Sequence, residues 1–248
     1  MSQVPLKSAN YGIDAPPVVR NLTLFGLVAV ILGVVFNFLL AVSQPLIATI
    51  LLNWGKWAGV TLLLAAVYMI WSSKVGKLRE REQLLNSLNL RGHEMVLDVG
   101  CGRGLLLNGA AKRLTTGKAV GIDLWQSEDQ SGNRMEMTLA NAQAEGVADR
   151  VEVKTGDMRQ MPFPDTLFDV AVASLSIHNI YDPDGRTQAV KEIARVLKPG
   201  GRVALLDFQR TEEYIQTLRD LGWSDVTRSG LNFLMFPAVR IVTGTKPG

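Results

Sequence analysis

Charge is almost absent from much of the first third of this 248-residue chain. The 35 residues from Asn21 to Gly55 include no Asp, Glu, Lys or Arg, and after Lys56 another 17 residues without those side chains run from Trp57 to Ser73. A helix needs roughly 20 predominantly apolar residues to cross the hydrocarbon core of a bilayer. Charge-free runs of this length are unusual in the core of a soluble protein, so the pattern predicts a transmembrane helical hairpin in residues 22–73.

The first predicted span is Leu22–Ser43, and Gln44-Pro45 ends it because proline interrupts a helix. The second span is about Trp57–Trp71, with Trp54-Gly55-Lys56-Trp57 at the membrane interface, where tryptophan is enriched. Two other interpretations stay open. One is a cleavable signal peptide with Ala41-Val42-Ser43 as its cleavage site, and the other is an apolar hairpin buried in a soluble core.

The charges around the hairpin predict its orientation. Cations flank it on both outer sides: Lys7 and Arg20 before the first span, and Lys74, Lys77, Arg79 and Arg81 after the second. Only Lys56 lies between the spans, so the positive-inside rule places both termini in the cytoplasm. Residues 1–21 then form an N-terminal cytoplasmic segment. Residues 74–90 form an amphipathic linker helix, and residues 91–248 form a cytoplasmic domain.

Composition excludes several classes of function. The net charge is only +3, with no basic stripe that would follow a phosphate backbone, so we expect no nucleic-acid partner. The single cysteine, Cys101, excludes an intrachain disulfide framework and a multi-cysteine metal site. The two histidines, His93 and His178, are far apart in sequence, so no metal site is predicted.

A glycine-rich turn follows a short apolar strand at residues 94–99. The turn Gly100-Cys-Gly-Arg-Gly104 has the spacing GxGxG, and an apolar helical pattern follows in residues 105–114. Strand, glycine turn and helix begin a nucleotide-binding α/β unit. The spacing differs from the GxGxxG that suits a pyrophosphate. Asp98, two residues before the turn, would repel a diphosphate and can hold the cationic amino group of a methionine moiety.

A second acid stands where a ribose would be bound. The next predicted strand, residues 118–123, ends in Asp123, 23 residues after Gly100. Folds of this type place a carboxylate there to accept hydrogen bonds from ribose hydroxyls. A strand-terminal aspartate can also cap a helix, so the interpretation depends on the glycine turn beside it.

These features resemble the class I S-adenosylmethionine-dependent methyltransferases. Five segments carry the resemblance, in the family's order: Val96–Gly104, Val120–Asp123, Gly156–Met158, Leu167–Ser174 and Arg195–Asp207. The chain is most similar to the small-molecule branch related to ubiquinone and menaquinone biosynthesis, whose members usually lack a membrane hairpin. The resemblance implies an α/β fold with a Rossmann-like seven-stranded sheet in the order 3-2-1-4-5-7-6. In that fold strand 7 is antiparallel and helices flank the sheet. The two transmembrane helices predicted from the apolar runs precede this domain.

The resemblance also implies S-adenosyl-L-methionine as cofactor and a set of contacts to it: Asp98, Gly100, Cys101, Gly102, Gly104, Asp123, Leu124, Asp157, Met158 and Ser174. After the fourth strand, His178 is a candidate general base, or alternatively a residue that only holds its own loop. Asn179 and Tyr181 are candidate acceptor contacts. The polar segment 125–134 is a candidate lid. The apolar segment 231–237 is expected to line an apolar pocket, touch the bilayer, or pack against the hairpin or the linker helix.

Together these features predict methyl transfer to a small, lipophilic or membrane-associated acceptor by in-line displacement. The motif GxxxG at Gly55–Gly59 makes the hairpin a candidate surface for a homo-oligomer. Two rival functions stay open. One is a non-catalytic membrane protein that binds S-adenosylmethionine. The other is a nicotinamide-dependent oxidoreductase, for which both the glycine spacing and Asp98 are unfavourable.

Overall fold

The structure, a computed structural model, describes residues 8–125 and 133–248. It divides into two compact units. Ile13–Val75 form a hairpin unit, whereas the described residues 8–12 and those from Gly76 onward form a larger unit, here called the catalytic unit after the activity that the sequence predicts for it. The hairpin is therefore an insertion near the start of the larger unit. Of the N-terminal segment predicted at residues 1–21, residues 8–12 belong to the catalytic unit and the residues from Ile13 belong to the hairpin unit.

The hairpin unit contains two long helices, α1 (Pro16–Leu40) and α2 (Pro45–Trp71). Both have proline in the first turn, where the missing N–H costs no hydrogen bond. Pro45 thus begins α2 directly, so the second helix is longer than the predicted span and Trp54–Trp57 lie inside it. By length and composition, both helices are capable of crossing a membrane.

Glycines bring the two helices of the hairpin close together. A Cβ atom added to Gly55 would lie 2.8 Å from the Cα of Gly33 and 2.5 Å from a carbonyl oxygen of α1. A Cβ atom added to Gly59 would lie 2.7 Å from the carbonyl oxygen of Gly26. Small residues permit such backbone contact between apolar helices. The GxxxG motif therefore packs α2 against α1 of the same chain.

The catalytic unit is built on a seven-stranded sheet in the order β3-β2-β1-β4-β5-β7-β6. Its strands are β1 (Met95–Val99), β2 (Lys118–Asp123), β3 (Val151–Thr155), β4 (Phe168–Ser174), β5 (Leu197–Asp207), β6 (Thr227–Arg228) and β7 (Arg240–Thr245). Its helices are α3 (Lys77–Ser87), α4 (Leu105–Ala111), α5 (Met135–Ala144), α6 (Pro183–Val196) and α7 (Thr211–Asp220). β7 runs antiparallel to β5 and β6. The predicted strand order and the antiparallel seventh strand are confirmed.

Apolar side chains are buried on both faces of the sheet, as parallel strands covered by helices require. Leu97 and Leu205 belong to one buried cluster, with Ile193 of α6. Val96 belongs to the other cluster, with Leu84 of α3. Because helices cover both faces, a ligand can reach the sheet where the parallel strands end. Folds of this type bind their ligands at the carboxyl ends of these strands.

The N-terminal segment is fixed to the catalytic unit by polar contacts. Asn10 and Asn141 exchange two hydrogen bonds, of 2.8 and 3.1 Å, between the backbone of the first and the side-chain amide of the second. Lys77 Nζ donates to the carbonyl oxygens of Tyr11, at 2.8 Å, and Gly12, at 3.0 Å. Burial raises the pKa of Tyr11 to about 12. The chain entering the hairpin is thereby held beside the start of α3.

Candidate functional site

The glycine turn folds over the end of β2. Gly100 and Cys101 donate their backbone N–H groups to the carbonyl oxygen of Ile122, at 2.8 and 3.1 Å. Gly102 N donates to Asp123 Oδ2 at 2.8 Å. The turn and the predicted ribose-binding acid, which sequence reasoning selected separately, therefore meet in one hydrogen-bonded cluster.

Gly100 shows why the turn needs glycine. Its φ is +70°, and an added Cβ atom would lie 2.3 Å from the Cβ of Ser176. Ser176 Oγ in turn donates to the carbonyl oxygen of Val99 at 2.8 Å. Ser176 was not among the predicted contacts, although it stands two residues after Ser174, which was. Loops after β1 and β4 thus come together here, and Met158 also approaches Gly100.

Asp98 is a buried acid at the base of the turn. It is 2% exposed, and its Oδ2 accepts the backbone N–H of Leu107, at the start of α4, at 2.8 Å. Burial, with a smaller contribution from the charge of Asp123, raises the pKa of Asp98 to about 7. A ligand cation next to this carboxyl group would favour its charged form. Burial also raises the pKa of the Cys101 thiol, which argues against a nucleophilic role for that residue.

The Asp123 carboxylate receives hydrogen bonds from three directions. In addition to Gly102 N, the backbone N–H of Trp125 donates to Oδ1 at 2.7 Å, and the side-chain amide of Asn133 donates to the same oxygen at 3.1 Å. A carboxylate offers about four acceptor positions. Ribose hydroxyls would therefore share or replace these donors. Two acids in these positions fit a nucleoside that carries a cationic amino-acid chain better than they fit a diphosphate.

Other predicted cofactor contacts have different surroundings. Asp157 makes a two-pronged ion pair with Arg159, the shortest contact being 2.6 Å, and this hydrogen bonding lowers the pKa of Asp157. Leu124 is exposed, and Ser174 ends β4. The proposed lid, residues 125–134, lies largely outside the described residues. Trp125 is described, and its indole N–H donates to Thr155 Oγ1 at 2.8 Å.

A histidine–aspartate pair lies at the same edge of the sheet. His178 follows β4, and its Nδ1 lies 2.9 and 3.1 Å from the two carboxylate oxygens of Asp207, the last residue of β5. The Tyr214 hydroxyl donates to Asp207 Oδ2 at 2.9 Å. A carboxylate only accepts hydrogen bonds, so Nδ1 carries the proton and Nε2 is the basic nitrogen. Sequence reasoning selected His178 but missed Asp207, which arrives from another strand.

The two predicted acceptor contacts near His178 differ in exposure. Asn179 is partly buried in a single turn of 3-10 helix, whereas the Tyr181 side chain is 98% exposed. Arg186 of α6 donates to the carbonyl oxygens of Ile180 and Tyr181, at 2.8 and 2.9 Å, and so holds this loop. Asn179 and Tyr181 both stay predicted acceptor contacts.

Comparisons with known proteins agree with this geometry. A family described as "Methyltransferase domain" matches residues 97–205. The ubiquinone/menaquinone biosynthesis C-methyltransferase UbiE of Roseobacter denitrificans is 33% identical over 159 residues, which cover 63% of this chain and 60% of that protein. The demethylmenaquinone methyltransferase of Lactobacillus johnsonii is 29% identical over 156 residues, covering 62% and 58%. The chain thus matches less than two thirds of the length of either relative.

Solved structures share the fold. The [4+2]-cyclase SpnF superposes with a TM-score of 0.58 at 20% identity, covering 68% of this chain and 80% of that one. Such a likeness shows architecture alone, because one fold hosts different reactions. The sheet order, the matched domain and the quinone-branch relatives agree with one another. Residues 97–205 therefore carry a methyltransferase domain with the class I fold, similar to those of the ubiquinone/menaquinone methyltransferases, and S-adenosyl-L-methionine is the cofactor that such a domain uses.

Proposed function

We propose that this chain is a membrane-anchored enzyme that transfers a methyl group from S-adenosylmethionine to a small lipophilic acceptor. The observation that carries the proposal is the His178–Asp207 pair, which lies at the sheet edge that also bears the glycine turn. A carboxylate-oriented imidazole is suited to remove a proton from an acceptor. In a domain that only binds the cofactor, the same pair would serve to hold the loop after β4, and the variants described below distinguish the two roles.

Different side chains of the protein bind the cofactor and accept the proton in the proposed reaction. When bound, the cofactor supplies an electrophilic methyl carbon, whose bond to sulfur breaks as its bond to the acceptor forms. Asp98 and Asp123 would hold the amino group and the ribose of the cofactor, and so fix the position from which it donates the methyl group. His178 Nε2 takes the proton that the acceptor loses. Asp207 keeps Nδ1 protonated and stabilises the imidazolium.

The hairpin supports a lipophilic acceptor. Both helices expose many apolar side chains, including Phe38 of α1 and Leu64 of α2, and only 11% of the most apolar window of α1 is buried. Lipid is the environment that removes such a surface from water. The names of the quinone-branch relatives point to quinone acceptors. The flanking cations favour a topology in which both termini and the domain face the cytoplasm.

Radiolabelled methyl transfer tests this function. The full chain in lipid nanodiscs is incubated with methyl-labelled S-adenosylmethionine and a membrane extract, and the products are separated by solvent partition and identified by mass. We expect label in a small molecule of the organic phase. Label confined to water-soluble products or to protein would refute a lipophilic acceptor. Absence of transfer, despite binding of S-adenosylhomocysteine, would favour the non-catalytic rival.

Variants of the pair test its chemistry. His178→Ala should lower kcat on the order of 100-fold or more and leave the affinity for S-adenosylhomocysteine unchanged. Asp207→Asn should also lower kcat and alter its pH profile, since an amide can turn the imidazole to the wrong tautomer. Tyr214→Phe is the matched control, because it removes one donor to Asp207 and keeps the carboxylate. Full turnover in His178→Ala would make the histidine structural.

A further inference from the structure

The apolar segment 231–237 lies at the same edge of the sheet as the histidine–aspartate pair. This segment, here called the apolar loop, connects β6 to β7. Because β7 is antiparallel to β5, its first residue, Arg240, pairs with Asp207, the last residue of β5. The residues that precede Arg240 therefore stand where β5 ends. The loop and the proposed proton acceptor are neighbours by strand register.

The apolar loop is held in one shape by contacts to its own unit. Asn232 and Val239 exchange backbone hydrogen bonds of 2.8 and 3.0 Å. The side-chain amide of Asn232 donates to the carboxylate of Glu80 and, at 3.2 Å, to Gln83 Oε1, both on α3. Met235 is buried in the cluster that includes leucines of α3. The loop is thus a fixed projection fastened to α3.

The outward side of the apolar loop is hydrophobic. Leu231 is 51% exposed, Phe233 65% and Phe236 38%. Two arginines flank the loop, one in sequence and one on α3. Arg240 follows the loop, and Arg79, next to Glu80 on α3, is exposed. Aromatic and aliphatic side chains with arginines at their margin are typical of segments that lie in the headgroup region of a membrane.

Chain length keeps the loop within reach of a bilayer. Glu80, which receives the hydrogen bond from Asn232, is nine residues after Trp71, the last residue of α2. Nine residues cover at most about 30 Å, even when fully extended. If α2 crosses a membrane, as proposed above, its connection to α3 is therefore short enough for the apolar loop to reach the surface from which α2 emerges.

We propose that the apolar loop inserts Leu231, Phe233 and Phe236 into the headgroup–acyl boundary of the bilayer and forms the entry for the acceptor. This inference rests on the proposed function and adds the route by which the acceptor reaches the site. A lipophilic molecule moves from the bilayer along the loop to His178, while S-adenosylmethionine reaches the glycine turn from water. The two substrates thus enter from different phases.

Site-specific labelling tests the insertion. The Phe233→Cys variant of the full chain is labelled at the new cysteine with the environment-sensitive fluorophore nitrobenzoxadiazole and reconstituted in nanodiscs. Its fluorescence is measured with and without nitroxide-labelled lipid, which quenches a probe that lies in the bilayer. Thr116→Cys is the control, because Thr116 is exposed in the turn before β2, at the opposite edge of the sheet. The native Cys101 is buried and its thiol pKa is raised, so it resists labelling. We expect the probe at position 233 to be quenched several-fold more strongly than the probe at 116.

Equal quenching at the two positions would overturn the insertion. A probe at position 233 that is shielded from water but not quenched by the lipid would also overturn it, because a protein would then cover the loop. Resistance to alkaline extraction measures the hairpin separately. If the hairpin stays in the membrane and methyl transfer reaches no lipophilic product, the proposed function fails even where quenching shows an inserted loop.

A kinetic variant tests the entry route. Phe233→Asp should raise the KM for a bilayer-dissolved acceptor several-fold, because a charged side chain is expelled from the acyl boundary. The affinity for S-adenosylhomocysteine should be unchanged, because the glycine turn is not altered. An unchanged KM, with correct folding shown by that binding, would refute the role of the loop as an entry.

Discussion

The buried acid Asp98 predicts that cofactor affinity depends on pH. Its pKa is raised to about 7, mainly by burial, so below pH 7 the ligand-free protein holds the carboxyl group largely protonated. S-adenosylhomocysteine carries a cationic amino group. In our assignment this cation binds beside Asp98 and requires the carboxylate. Binding at acid pH must therefore release a proton, and the affinity rises with pH until it levels off above 7.

The size of the effect follows from the pKa. If the pKa of Asp98 is about 7 in the ligand-free protein and the carboxyl group is charged in the complex over this range, the affinity should fall about tenfold between pH 8 and pH 6, or about 1.4 kcal/mol. The number of protons released on binding should be about 0.9 at pH 6 and about 0.1 at pH 8. Isothermal titration calorimetry in buffers of different ionisation enthalpy measures both quantities on the same sample.

A matched ligand separates Asp98 from other titrating groups. 5′-Methylthioadenosine keeps the adenine and the ribose but lacks the amino-acid part, so its affinity should stay constant over the same range. Asp98→Asn should bind S-adenosylhomocysteine more weakly and without the pH dependence, while its amide oxygen can still accept the N–H of Leu107. An affinity that is flat from pH 6 to 8 in the unmodified chain would refute the reasoning. Equal slopes for the two ligands would do the same.

Two further changes test the frame around the site. Gly59→Leu should separate α1 from α2 and weaken the retention of the chain in nanodiscs during urea extraction. Ala58→Leu, at an exposed position of the same helix, is the control and should not weaken retention. Equal retention of the two variants would refute the glycine packing. Lys77→Met should leave the carbonyl oxygens of Tyr11 and Gly12 without this donor and cost about 1–3 kcal/mol. A thermal melt of the catalytic unit in nanodiscs measures that loss, and an unchanged midpoint would mean that the N-terminal segment contributes no stability.

The sequence predicted the parts of the site that a short segment encodes. The glycine spacing, with Asp98 close before it, defines a turn whose geometry is local, and Asp123 follows because the second strand ends beside that turn. The strand order was predictable from five motifs in sequence. The start of α2 at Pro45, before the predicted second span, is also a local matter, since proline both ends and begins helices.

The parts that were missed depend on distant contacts. Asp207 meets His178 across 29 residues and two strands, and no periodicity links them. Asn10 pairs with Asn141 across 131 residues, which no reading of the hydrophobic run suggests. The ion pair of Asp157 with Arg159 was within reach of sequence reasoning, because it spans only two residues. The family motif instead predicts a cofactor contact at Asp157.

The fastening of the N-terminal segment by Lys77 and Asn141 has a consequence for biosynthesis. A ribosome delivers Asn10, Tyr11 and Gly12 first, then the whole apolar hairpin, and only afterwards the residues that hold the segment in place. These contacts close a loop of more than 60 residues, and such long-range closures form late. If membrane insertion occurs during synthesis, it precedes completion of the catalytic unit. A newly made chain would then be anchored before it is able to bind its cofactor, and maturation of the site would take place at the membrane surface.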